Sequence, residues 1–262
     1  MNRDQVEAAA ASLLASHLIN RVPVNLAYLV RRAGIELTRI REFGAGFSGR
    51  IEYDPEDHSF VVYVPCASKP ADKARIRFTI AHELGHYCLH RALLCRDGSL
   101  PQRQLGESGK GTEREADQFA AATLIPAWWL QKNCDPCRQA WDLAKIIEVA
   151  ATCEVSNEVA AFRYALATNQ RHCSVVSKAG RILHWFSSSA VGPLRFQLRK
   201  GQATPQDGPT HHALQGTSTD IVHLMVDGRQ WFRCQNAPVK ITEEARPLGG
   251  GRVLTALTWN SW

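Results

Sequence analysis

His82, Glu83 and His86 spell His-Glu-x-x-His inside the run Ile80-Ala81-His82-Glu83-Leu84-Gly85-His86-Tyr87. On an α-helix, residues four apart stand one turn above each other, so the two imidazoles can close on one metal ion. Glu83 sits one step round. A glutamate so placed can take a proton from a water that the metal has acidified towards a pKa of about 7, then pass it to a leaving amine. The chemistry implied is amide hydrolysis, with Glu83 catalytic and His82 and His86 as metal ligands. Residues 75–81 contain neither Pro nor Gly, and Ile76, Ile80 and Leu84 recur every four residues as a stripe to be buried.

A tetrahedral catalytic zinc takes three protein groups and a water, so a third ligand must come from elsewhere. His90 is eight residues beyond His82, about 12 Å along a helix axis, too far for both to share one ion. Ala92 stands where a metzincin would place a histidine. The better source is Gly111-Thr112-Glu113-Arg114-Glu115-Ala116-Asp117-Gln118-Phe119-Ala120-Ala121, which opens a helix with Thr112 as its N-cap. Glu113 shares a face with Ala116, Asp117, Ala120 and Leu124, the side that must turn inward, whereas Glu115 points to solvent. Glu113 is therefore the expected third ligand. Asp117, one turn later, is the carboxylate that orients a ligand histidine through its second ring nitrogen. Imidazole and carboxylate groups suit several divalent ions, so zinc is expected with manganese as the alternative.

The elements that must position these groups follow from periodicity. An Ala-rich amphipathic helix covers Glu7 to Ile19, and Val22-Pro23-Val24-Asn25 opens a second helix, Leu26 to Ala33, stopped by Gly34. The period then changes to two in residues 35–40, 49–53 and 59–64, three short strands separated by Gly-rich and Asp-Pro-Glu-Asp turns. Such a sheet before the metal helix either offers an edge along which an extended peptide can pair or only packs on the helix, and the sequence favours neither. Leu124-Ile125-Pro126 closes the unit.

The ordered set Arg77-Phe78-Thr79-Ile80-Ala81-His82-Glu83-Leu84-Gly85-His86-Tyr87, then Glu113-x-Glu115-Ala116-Asp117-x-Phe119-Ala120-Ala121, then Leu124-Ile125-Pro126, resembles the ImmA/IrrE zinc metallopeptidases over roughly residues 20 to 130. The resemblance implies that His82, His86 and Glu113 hold zinc, in agreement with the facial argument. It also implies a helix-turn-helix transcriptional repressor as substrate, a DdrO-like repressor of DNA-damage response genes, whose cleavage induces the radiation response.

Residues 143–152 and 157–167 read as two helices around Val155-Ser156, with Ser156 as N-cap, and fit the helix-turn-helix pattern except that Glu154 stands where Gly is usual. The second helix offers only Arg163 as a basic group and carries Glu158, so direct DNA binding is less favoured than a structural or substrate-contacting role. Beyond His172 the period is two again. Residues 173–177, 181–186, 221–226, 230–234 and 253–259 read as strands, with Gly180 and Asp227-Gly228 as hairpin turns and a mobile loop from Gly201 to Gly216. This part resembles a GAF-like sensory domain in which Cys173, His184 and Trp185, more simply explained by packing, can also line a small-molecule pocket.

The 262 residues have room for two or three domains. The net charge of +6 is uneven: residues 169–262 hold 11 basic and 5 acidic side chains, while residues 1–168 are balanced at 20 and 20. A basic end suits nucleic acid or an acidic protein, though a solvated surface is the commoner reason. Eight scattered cysteines, including an isolated Cys134-x-x-Cys137, read as reduced thiols in the cytoplasm, and no run of 18 apolar residues indicates a membrane span. The expected fold class is α+β: a zincin-like metallopeptidase domain over residues 1–130, a helix-turn-helix domain over 131–169 and a GAF-like α/β domain over 170–262. The expected function is repressor-cleaving zinc endopeptidase; the alternative is a DNA- or signal-binding regulator whose metal site is structural or vestigial.

Overall fold

The computed structural model describes residues 1–40, 49–66, 70–99, 111–216 and 220–259. The chain is mixed α and β, with two sheets, and divides into two compact units: residues 1–130 with 152–156, and residues 131–151 with 157–262. Among the described residues no helix is long and apolar enough to cross a membrane.

In the first unit, α1 (Arg3–Ser16) begins with a capping box in which Asn2 accepts from the Gln5 N–H and the Gln5 side chain accepts from the Asn2 N–H. Val6, Ala10 and Leu14 form its buried stripe, four residues apart. Helix α2 (Leu26–Arg32) is N-capped by Asn25 and followed by Gly34 in the left-handed region at φ 71°. Strands β1 (Ile35–Ile40), β2 (Arg50–Asp54) and β3 (Ser59–Pro65) form a sheet in the order β1-β3-β2, with β1 parallel and β2 antiparallel to β3. The Gly-rich turn expected between the first two strands falls in residues 41–48, outside the described residues. The outer edge of β2 is occupied from Glu52 onward, by a bridge to Ser99 and by the Tyr53 N–H donating to the Gly98 carbonyl.

Helix α3 (Pro70–Asp97) lies against β2 and β3 and buries Ile76, Ile80 and Leu84 as expected. It is broken at His90, whose φ of −125° and ψ of 21° are not helical. Helix α4 (Gly111–Leu124) crosses α3 and also packs on α1. It starts one residue before Thr112, which therefore stands in its first turn and is not its cap. Helices α5 (Ala127–Asn133) and α6 (Leu143–Cys153) follow. Glu154, where glycine was missed from the pattern, adopts φ 52°, and its carbonyl and that of Cys153 accept from the Arg77 guanidinium, which thereby closes the C-terminal end of α6.

In the second unit, α7 (Asn157–Ala167) starts where expected, but Arg163 is buried, at 3 % exposure. The basic group that sequence placed on the second helix is thus not on its surface. Strands β4 (His172–Lys178) and β5 (Arg181–Ser187) make a hairpin through Ala179 and Gly180, both at positive φ. Residues 201–216 are not one loop: Gly208, at φ 111°, starts α8 (Pro209–Gln215). Strand β6 (Val222–Val226) is followed by a short 3-10 turn at Gly228–Gln230 in place of the expected hairpin and the strand at 230–234. Trp231 and Phe232 produced that false alternation. Both are fully buried in the core rather than alternating across a sheet. The strand that pairs with β6 is β7 (Ile241–Gly249), hidden in sequence by Glu243, Glu244, Arg246 and Pro247, and it joins β8 (Arg252–Thr258) through Gly250 and Gly251. The sheet is antiparallel throughout, in the order β5-β4-β8-β7-β6.

One face of this sheet carries α8; its Ala213 packs on Ala245 and Val253, beside a core of Val175, Ile182, Trp231 and Leu257. The other carries Tyr164 of α7 edge-on to His172, with Trp141 stacked on Tyr164 at 4.7 Å. Cys173 is a core residue, His184 bonds Glu158 and Trp185 packs on the core, which is the packing role expected for each. All eight cysteines are free thiols; the Cys134 carbonyl accepts from the Trp141 indole and the Cys137 thiol donates to the Ala167 carbonyl.

Candidate metal centre

Two helices build the site. Helix α3 supplies His82, Glu83 and His86, and α4 supplies Glu113 and Asp117. Their close approach depends on Gly85: a Cβ there would stand 3.1 Å from the Ala116 Cα and 3.2 Å from the Phe119 Cβ, tighter than ordinary contact. Ala116 follows Glu113 by one helical turn. The glycine that lets the backbones touch therefore also brings the Glu113 carboxylate onto the two histidines.

The His82 and His86 Nε2 atoms are 3.0 Å apart, and the Glu113 carboxylate lies 3.4 Å from the first and 3.2 Å from the second. One donor atom from each of the three residues falls within 4.8 Å of the others, the only such grouping among the described residues. Ligands about 2.0–2.1 Å from a tetrahedral zinc would be roughly 3.3 Å from each other, so the spacing fits.

Protons on the far ring nitrogens explain why these atoms converge. His82 Nδ1 lies 3.0 Å from Asp117 Oδ1, and an N–H donated to that carboxylate leaves the His82 Nε2 lone pair facing inward. His90 Nε2 lies 2.8 Å from Glu115 Oε2, so it too carries a proton and leaves Nδ1 as an acceptor. That acceptor is 3.0 Å from His86 Nδ1, which must then donate, freeing the His86 Nε2 lone pair. Three electron-pair donors thus meet at one point, an arrangement that a shared cation stabilises.

Protonation follows the same demand for positive charge. Burial pushes the His82 pKa down, but hydrogen bonds to Asp117 and Glu113 outweigh it and raise the value to about 10. His86 moves the other way, lowered by burial and by the charge on His82. Burial would raise the Glu113 carboxyl, yet its bonds to both imidazoles hold it well below the usual carboxylate range. Glu83 is 6 % exposed; burial, with the Glu113 charge, lifts its pKa to about 7 against the opposing pull of His82 and of the Ile51 N–H that it accepts. Gly49 lies over Thr79 and Glu83, and a side chain there would collide with Thr79.

Of the residues named from sequence, His82, Glu83, His86, Glu113 and Asp117 come together. Glu115 does not face solvent as expected. Its side chain is 16 % exposed, because His90 and the α-amine of Met1 enclose it. His90, set aside because it is too far to be a ligand, instead stands behind His86. The signal is in the spacing: His90 is four residues beyond His86, on the same face.

Residues 67–164 match the family described as Peptidase_M78, IrrE N-terminal-like domain. That match and the donor set support a metallopeptidase-like domain of the ImmA/IrrE kind with a possible metal site at His82, His86 and Glu113. No curated protein matches the chain. The solved structure of a Mycobacterium tuberculosis transcriptional regulator is similar in fold, with a TM-score of 0.64 and 17 % identity over 97 % of this chain and 76 % of that one.

Proposed function

We propose that this chain is a zinc-dependent endopeptidase of the cytoplasm that cleaves a helix-turn-helix repressor, DdrO-like, and so induces DNA-damage and radiation-response genes in the manner of IrrE of Deinococcus. The observation that carries the reading is the convergence of His82 Nε2, His86 Nε2 and the Glu113 carboxylate beside the buried Glu83. In this reading residues 1–130 are the peptidase domain, 131–169 a helix-turn-helix and 170–262 a GAF-like sensory domain. The eight free thiols support a reducing compartment.

His82, His86 and Glu113 would hold the ion, zinc or alternatively manganese, while Asp117 and His90 fix the two ring tautomers. A divalent ion held there supplies Lewis acidity, easing ionisation of water and polarising the scissile carbonyl. Glu83, buried beside the ligands, accepts the proton of the attacking water as a general base and returns it to the departing amine. The Ile51 N–H steadies the Glu83 carboxylate in the orientation for that transfer. Gly98 and Ser99 cover β2 from Glu52 on and Glu83 takes the Ile51 N–H, so we assign the pairing edge left for an extended substrate to Gly49, beside Glu83.

Purified, metal-loaded protein incubated with candidate repressors, with fragments mapped by mass, tests the reading. Glu83→Gln should keep its metal and slow cleavage by about 10²–10⁴-fold, the range for loss of a general base. Cleavage at the parent rate would remove Glu83 from the mechanism.

The second reading, a DNA- or signal-binding regulator with a structural metal site, draws on the basic residues 169–262 and on the fold shared with a transcriptional regulator. Burial of Arg163 weighs against α7 as a DNA reader. Salt-sensitive, sequence-selective gel shifts by the Glu83→Gln protein, with an undiminished cellular response, would favour this reading.

A further inference from the structure

The second unit contains a cavity of about 580 Å³ between the 3-10 segment Ser189–Gln197 and the turn before β7. Its walls are apolar where Val191, Leu194, Ala237 and Val239 line it, and Arg171 and Arg229 enter the same lining. Val191 and Ala237 belong to the unit's hydrophobic core, so the floor of the cavity is fixed packing, while Val239 is 58 % exposed at its rim.

Arg171 is the anomaly. Arg171 is half-buried, and its Nη1 is buried with no hydrogen-bond partner among the described residues. Two other arginines with part-buried hydrogen bonds are answered: Arg77 donates to the carbonyls of Val24, Cys153 and Glu154, and Arg252 pairs with Glu158. A buried N–H without an acceptor costs stability, and such a donor is retained where a bound molecule satisfies it. A second buried donor without a partner, the Trp259 indole Nε1, lies in the same core cluster as Val191 and Ala237.

We infer that this cavity is a binding site for a small organic carboxylate with an apolar body. The planar fork of Arg171 matches a carboxylate, which would supply the missing acceptor. The Val191, Leu194 and Val239 surfaces would cover a hydrocarbon or aromatic tail, and the volume is that of a small-molecule site, roughly 300–1,000 Å³. Arg229, exposed at the mouth, adds positive potential that draws an anion inward. The site is remote in sequence from the metal ligands, and the inference stands whether or not the chain is a peptidase.

The test is calorimetric titration of the full chain with octanoate and benzoate, with octanamide and benzamide as neutral isosteres and inorganic phosphate as an anion without a tail. At least one carboxylate should bind about tenfold more tightly than its amide, and phosphate should not compete with it. Arg171→Gln should abolish that preference. Its melting temperature without ligand should equal or exceed that of the parent, since the variant no longer buries the unpartnered Nη1. Val239→Asp, a change at the exposed rim that leaves the core alone, should weaken carboxylate binding severalfold. No binding of either carboxylate at millimolar concentration, equal binding of acid and amide, competition by phosphate, or undiminished binding by Arg171→Gln or Val239→Asp would each overturn the inference.

Discussion

Glu243 and Glu113 are both carboxylates placed among buried polar groups, and the company each keeps is opposite in kind. Glu243, fully buried on β7, accepts from the Thr210 N–H at 2.8 Å, the Thr210 hydroxyl at 2.7 Å and the Trp231 indole at 2.8 Å. Every partner is a neutral donor, and the network closes upon itself. Glu113 faces two ring nitrogens whose own protons are committed elsewhere, to Asp117 and towards His90. Both nitrogens then offer lone pairs, and the group is complete only with a cation between them, a proton on His82 or a metal ion. The second unit spends its buried carboxylate on holding α8 to the sheet; the first arranges its carboxylate as part of a coordination set.

The sharpest way to break this contrast is to make the same change in both places. Glu113→Gln removes an anionic ligand, and metal affinity should fall by more than the roughly 10–100-fold that loss of an outer partner costs, with little change in the second unit. Glu243→Gln should leave metal content untouched. It puts an NH2 group against donors, so the second unit should lose about 1–3 kcal/mol, measured by denaturant unfolding. Metal loss in both variants, or in neither, would mean that the two carboxylates do not differ as described.

Acid provides the next test, because the second unit also buries a histidine with no carboxylate to welcome its proton. His172 has 0 % exposure, bonds Ser174 through Nε2 at 2.6 Å, and burial pushes its pKa down from 6.5 to about 3. The unfolded chain takes up the proton near pH 6.5 while the folded chain resists until about pH 3, so protons favour unfolding across that window. The stability contributed by neutral His172 is whole above pH 6.5 and falls as the pH drops towards 3. Protection factors at β4, taken against the intrinsic exchange rate at each pH, should therefore fall on acidification, and His172→Asn should flatten that dependence. An unchanged acid slope in the variant would show that His172 is not the group responsible.

Legibility from sequence divides along the same line. In the first unit the spacing of His82, Glu83 and His86, the inward face of Glu113 and Asp117, and all three strands could be read directly, because each is a periodicity within one element. Two features depended on contact between elements: Gly85 as the seat of the α3–α4 crossing and the enclosure of Glu115 by His90 and Met1. In the second unit β7 was missed because its inward polar position, Glu243, is satisfied by Thr210 and Trp231 from distant segments, which no local alternation reveals. Trp231 and Phe232 misled for the complementary reason, since two adjacent aromatic side chains can be buried by a tight turn as readily as by a strand.

The smallest effect bears on the finest distinction, that between Glu115 and Glu113. Glu115 acts at two removes: it holds His90, His90 orients His86, and only His86 offers its nitrogen to the ion. Glu115→Gln keeps an oxygen that can still accept from His90 Nε2, so the tautomer chain survives with one charge-assisted bond weakened to a neutral one. Metal affinity should then fall by less than about tenfold, under about 1.4 kcal/mol, against a far larger loss for Glu113→Gln. Metal content after dialysis against a graded chelator separates the two. Equal losses would place Glu115 among the ligands, and would require His90 to turn so that the oxygen now 2.8 Å from its Nε2 could reach the ion instead.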